Sequence, residues 1–186
     1  MQLLTPSERR ALLNLARESI LSALDGEARR TGCVLSPALS APSGAFVSLH
    51  QRGELRGCIG TLATARSLHD SVAHLAVAAA FDDPRFPPLT RAELAQTEIE
   101  ISRLSAAVPA RPEDILVPRH GVAISIGERR AVFLPQVARH QQWDRERLLA
   151  ELCRKADLPC DAWKEPAATL LVFEAETFGD IDGAEE

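Results

Sequence analysis

The stretch GELRGCIGTL, residues 53–62, places a cysteine where a β-strand is expected and surrounds it with three glycines and an arginine. A thiol does chemistry as its thiolate, either as nucleophile or as carrier of a group, and needs a cation, dipole or base nearby. Arg56, two residues before Cys58, is the local cation, suited to holding a thiolate or a substrate anion. The spacing puts it about 7 Å away on the same strand face. His50 falls at the far end of the same hairpin, which predicts that it is too remote to act as a direct base, so a base would come from elsewhere, such as His120 or His140. The structural alternative is that Cys58 is a small apolar filler, the common state of a free cysteine. Gly57 and Gly60 divide in the same way. They either let a ligand reach the backbone or let a helix pack close, and the alanines 76, 79 and 80 offer a flat helix for the latter.

Further along, DDPRF supplies Asp83 and Arg85, a charged pair able to recognise a polar ligand or simply to end a helix with a salt bridge. Glu98 and Glu100 alternate along one strand face, as a carboxylate pair for acid–base work or as the solvated face of an edge strand. Gln136, in the turn LPQV, is a candidate binding amide, with a plain strand-to-loop exit as its alternative. Metal chemistry has little to work with: Asp70 and His74 share a helix face, His69 lies off it, and two ligands make no site. Neither a metal nor a cofactor is expected.

These residues need elements to hold them. Thr5-Pro6-Ser7-Glu8 is a capping box with proline at the first helical position, and the helix it opens ends at Asp25-Gly26. Residues 31–44, with two prolines, read as a loop. AFVSLHQRGELRGCIGTL then reads as a hairpin. Matching its apolar faces requires an odd loop, Gln51-Arg52-Gly53, which pairs Phe46 with Cys58 and Ser48 with Arg56. One face becomes Ala45, Val47, Leu49, Leu55 and Ile59; the other holds Phe46, Ser48, His50, Arg56 and Cys58. Ser67 caps a second helix, broken after Phe81 by DDPRFPP, and a short turn at 90–94 leads into the strand TEIEISRL. GVAISI and RRAVFLP form a second hairpin about Gly127-Glu128, Asp144 caps a helix that ends at Leu158-Pro159, and ATLLVFEAETF closes the chain as one strand. The pattern predicts an α+β fold with largely antiparallel sheets flanked by helices.

Composition narrows the function classes. The chain has 186 residues, 46% hydrophobic and 25% charged, which suits one sizeable core. A net charge of −5, aromatics at 4% and no tyrosine disfavour a nucleic-acid surface. The N-terminal residues lack a signal-peptide pattern, and the longest apolar run, LAVAAAF, is far too short to span a bilayer. Cys33, Cys58, Cys153 and Cys160 include no CxxC, so free thiols in a cytoplasmic protein are expected.

Taken in order, LRGCIGTL, AAFDDPRFPPLT, EIEISRLS, HGVAISIG, VFLPQVA and CRKADLPCDAW resemble the AMMECR domain, called AmmeMemoRadiSam system protein A in bacteria and archaea. The resemblance spans nearly the whole chain, residues 1–186, as a single domain of two interleaved lobes. It implies unequal lobes with a groove holding the RGCIG segment, and association with Memo-like and radical-SAM proteins. It implies no settled reaction. One departure is Asp157, where the family commonly has the glycine of Lys-Ala-Gly-Leu-Pro. The combined expectation is a cysteine-dependent enzyme or redox accessory acting on a small-molecule or peptide ligand, with Cys58 and Arg56 at its centre and Gly57, Gly60, Asp83, Arg85, Glu100 and Gln136 around them. The alternative is a non-catalytic binding or adaptor module that uses the same groove.

Overall fold

The computed structural model describes residues 1–27 and 35–180, so Cys33 and the start of the 31–44 loop lie outside the described residues. The chain divides into two compact units. Residues 1–104 with the segment from Glu176 form the first, and Ser105–Ala175 the second. Each is a four-stranded sheet with helices packed on it, and the pairings within both are antiparallel.

In the first unit, α1 (Pro6–Asp25) starts as its sequence demands. The Thr5 hydroxyl accepts from the Glu8 amide, Glu8 reaches back to the Thr5 amide, and Gly26 ends the helix with φ +68°. A helical turn, α2 (Pro37–Ser40), capped by Ser36, interrupts what composition reads as plain loop. Strands β1 (Ala45–Gln51) and β2 (Glu54–Thr61) form the expected hairpin, and α3 (Leu68–Phe81) follows, capped by Ser67. The turn α4 (Arg91–Leu94) leads to β3 (Glu98–Leu104). The sheet order is β2-β1-β3-β8, where β8 is Ala175–Gly179. Its core joins Leu12, Ala16 and Ile20 of α1 and Val72, Ala76 and Ala79 of α3 to Val47, Leu49, Ile99 and Ile101 of the sheet.

The second unit orders its strands β4-β7-β5-β6: β4 (Val108–Pro109), β5 (Gly121–Ile126), β6 (Arg129–Phe133) and β7 (Thr169–Phe173). Helices α5 (Pro135–His140) and α6 (Arg145–Lys155) supply its core, with Leu148, Leu149 and Leu152 against Val122, Ile124, Leu170 and Val172.

Two expectations about elements change. The closing run ATLLVFEAETF is two strands, β7 in one sheet and β8 in the other. The break falls at Glu174, whose backbone pairs with Ser105 on both sides and whose carboxylate holds Arg119. The segment after Phe133 is no simple exit: Pro135 occupies the first position of α5, where its missing N–H costs nothing. Among the described residues, no helix is long and apolar enough to cross a membrane.

Candidate functional site

The hairpin register decides what faces Cys58, and it differs from the expected one. Arg52 and Gly53 both adopt positive φ, +52° and +80°, so the turn has two residues rather than three. Parity is restored by a bulge: Leu49 pairs with Gly57, His50 with Leu55, and Arg56 is the extra residue. Cys58 therefore lies opposite Ser48, and Phe46 opposite Gly60. Leu55 leaves the core face and is 40% exposed.

Across the sheet the register continues: Ser48 faces Glu100 and His50 faces Glu98 on β3. One row thus reads Cys58–Ser48–Glu100 and the next Leu55–His50–Glu98, all turned away from the face on which Val47 and Leu49 meet the helices. The Ser48 hydroxyl donates to the Cys58 sulfur at 3.3 Å. His50 stands on the diagonal from Cys58, a position about 7 Å away in an antiparallel ladder and within reach of an imidazole. The true register brings Cys58 toward the turn, so His50 is two residues along β1 from the thiol's partner rather than four. β3 is also an interior strand, so Glu98 and Glu100 do not sit on an edge; both are half-buried.

The backbone at Cys58 is held from the free edge of the sheet. Its amide donates to Asp83 Oδ2 at 2.8 Å, and its carbonyl accepts from Arg85 at 3.3 Å. Asp83 also binds the Arg85 guanidinium at 2.6 Å, so the pair stands in for a missing neighbouring strand. The Asp83 side chain is only 2% exposed. The Arg85 guanidinium, aided by the amides of Cys58 and Arg85, holds its carboxyl well below the usual carboxylate range despite burial, and the pair raises Arg85 in turn.

The glycines are structural. A Cβ on Gly57 would stand 2.2 Å from the carbonyl oxygen of Ala79, so α3 packs directly on the strand. A Cβ on Gly60 would meet the Phe46 ring at 2.2 Å, so that ring covers the glycine across the strands.

Arg56 has other partners than the thiol. Its guanidinium meets Glu93 at 3.1 Å and lies 6.0 Å from the Phe86 ring centroid. Glu93 is anchored by the Thr90 amide and hydroxyl, and these bonds together with Arg56 lower its pKa. Sequence reasoning missed Glu93, although the Thr90-x-x-Glu93 capping box was there to find it. It also missed Ser48, for which only the register gives a signal. Arg56 and Glu93, with Gln51, Arg52, Leu55 and Gln96, line an open cavity of ≈ 670 Å³ at the hairpin tip; Cys58, Arg85 and Glu100 do not. Gln136 belongs to the second unit, in the first turn of α5. His120, also in that unit, accepts the Leu116 amide on Nδ1. Among the described residues no group of three or more His, Cys, Asp or Glu could hold a metal ion, and Cys58, Cys153 and Cys160 are free thiols.

The chain matches the AMMECR1 family over residues 13–178. It belongs to the AMMECR1 family. Its relatives include a protein of Methanothermobacter thermautotrophicus, 35% identical over 183 residues that cover 94% of this chain and 95% of that one. A protein of Methanosarcina barkeri is 36% identical, covering 95% and 92%. The crystal structure of an uncharacterized protein from Pyrococcus horikoshii superposes with a TM-score of 0.85 at 34% identity, covering 91% of this AMMECR1-family chain and 89% of that one.

Proposed function

We propose that this AMMECR1-family protein is a cysteine-dependent catalyst whose centre is the Cys58 face of the first sheet. The observation that carries the reading is the cross-strand placement of the thiol. It is paired to Ser48, off the helix-packed core face, with His50 on the diagonal and Glu98 opposite that histidine. A nucleophile and a base on one strand face are the parts such chemistry needs. Glu98 makes no hydrogen bond to His50 and is left to face the ligand. In the minimal step the thiol proton passes to His50 and Sγ bonds to an electrophilic carbon of a small or peptidic substrate. The leaving group departs with that proton. Asp83 and Arg85 act as positioning residues, since they fix the Cys58 peptide rather than touch the sulfur. The Arg56–Glu93 pair shapes the adjacent cavity. Memo-like and radical-SAM proteins are the proposed working partners.

One observation favours a binding module instead: the Cys58 amide is committed to Asp83 and cannot serve an oxyanion. Alkylation of the folded protein separates the two. Iodoacetamide labelling of the tryptic peptide 57–66, followed by mass spectrometry from about pH 5 to about pH 9, should modify Cys58 before unfolding. Replacing His50 by Ala should slow the reaction. A thiol that labels only after unfolding would give the molecule to the binding reading.

A further inference from the structure

We infer that the Cys58 face selects a substrate bearing a positive charge, an amine or guanidinium able to reach Glu100, which lies two strand widths, roughly 10 Å, across the sheet from Cys58. The inference rests on the thiol reading and adds to it the charge class of the substrate.

Charge around the sulfur is unevenly matched. The two cations flanking the thiol are already matched, Arg56 against Glu93 at 3.1 Å and Arg85 against Asp83 at 2.6 Å. Arg52, without an ion pair among the described residues, stands out at the exposed hairpin tip. Two anions remain. Glu98 and Glu100 alternate along β3, both half-buried, and neither has an ion pair or side-chain hydrogen bond among the described residues. Glu100 closes the row that begins with Cys58, with Ser48 between them; Glu98 lies opposite His50 in the next. A ligand cation would give these two carboxylates the charge partner that no described residue supplies.

A second observation points to a ligand on this face. His50 Nε2 is buried and has no hydrogen-bond partner among the described residues. Buried polar atoms are nearly always bonded, so this nitrogen points to a group that completes the face, the thiol proton or a polar atom of the substrate. Phe46, whose ring covers Gly60 in the row beyond Cys58, gives the face an apolar end. An anionic substrate would meet Glu98 and Glu100, while Arg56 and Arg85 beside the thiol are already matched.

Charged thiol reagents test this without knowledge of the substrate. Three methanethiosulfonates transfer a thioalkyl group to a thiolate with loss of methanesulfinate, and differ in carrying an ammonium, no charge or a sulfonate. Rates at Cys58 are read on the 57–66 peptide and divided by each reagent's rate with glutathione. The expected order is cation, neutral, anion, with about a tenfold gap between the extremes at low salt. The gap should shrink as salt is raised in the unaltered protein and close in Glu98→Gln/Glu100→Gln. The single change Glu100→Gln and the salt series read the same quantity should the double variant fail to fold. A reactive Cys58 with no charge preference, or one that prefers the sulfonate, overturns the charge inference and leaves the thiol reading standing. A Cys58 inert to all three reagents in the folded protein overturns both.

Discussion

The two sheets share an architecture and differ in what they carry on the face turned from their helices. In the first, that face holds a thiol, a hydroxyl, an imidazole and two carboxylates in adjacent rows. In the second, the equivalent rows set Ala123 beside Val132 and Leu171, and Ser125 beside Arg130 and Thr169. The cysteines follow the same division. Cys153 of α6 is fully buried in the second core, and burial pushes its thiol up, toward inertness. Cys58 is half-buried on the polar face of the first. A four-stranded sheet with helices is thus compatible with either content; which side of the sheet the reactive types occupy makes the difference.

The comparison is broken most severely at Gly57. Its counterpart for conformational purposes is Gly127, in the hairpin turn of the second unit. A Cβ on Gly57 would meet the Ala79 carbonyl at 2.2 Å, whereas one on Gly127 meets nothing within 4 Å and suffers only from φ +59°. Gly57→Ala should therefore cost about 3 kcal/mol, because backbone must move. Gly127→Ala should cost about 1 kcal/mol, the penalty of a left-handed backbone alone. Urea unfolding checks both; equal costs would mean that α3 yields freely and that the strand carrying Cys58 is not pinned by it.

Asp83 comes next. Asp83→Asn weakens its bonds to Arg85 and to the Cys58 amide, and should cost about 2 kcal/mol, less than a fully buried pair because Arg85 is half in solvent. The pH dependence has a definite sign. Asp83 is depressed in the folded state, so its contribution is complete above the ordinary carboxylate pKa, about 4, and is lost as pH falls through the folded value. Below about pH 4 the unaltered protein should lose stability more steeply than Asp83→Asn. Native Cys58 labelling should also change in this variant. A variant with unchanged labelling would show that the edge pair supports the sheet and not the thiol.

What the sequence disclosed, and what it hid, follows the range of the forces involved. Caps are local: Thr5 with Glu8, Gly26 and Ser67 all stand where their side chains or φ preferences put them. The hairpin was legible in kind but not in register. A three-residue loop and a two-residue turn with one bulge satisfy the same parity, and nothing near Arg52 announces that it will adopt positive φ. That single ambiguity displaced Cys58 by one row and made His50 look remote. Strand order was illegible too, so Glu98 and Glu100 read as an edge until β8 paired beyond them. β8 itself was hidden because an unbroken β pattern runs through Glu174, where the chain leaves one sheet for the other.

The smallest effect is the most specific to the second unit. Asp157 follows α6 with φ +55°, while the Leu158 amide bonds back to the Cys153 carbonyl and so closes the helix end. An aspartate tolerates that conformation better than most residues but less well than glycine. Asp157→Gly should raise stability by roughly 0.5–1 kcal/mol, reduced somewhat by glycine's freedom in the unfolded chain. Thermal unfolding would register it as a small upward shift. Labelling at Cys58 should be unaffected, because Asp157 belongs to the unit whose strain is local and serves a helix end. In Asp83→Asn, stability and labelling should move together. If Asp157→Gly moved both as well, the proposed division between a unit that holds the thiol site and a unit that does not would have to be given up.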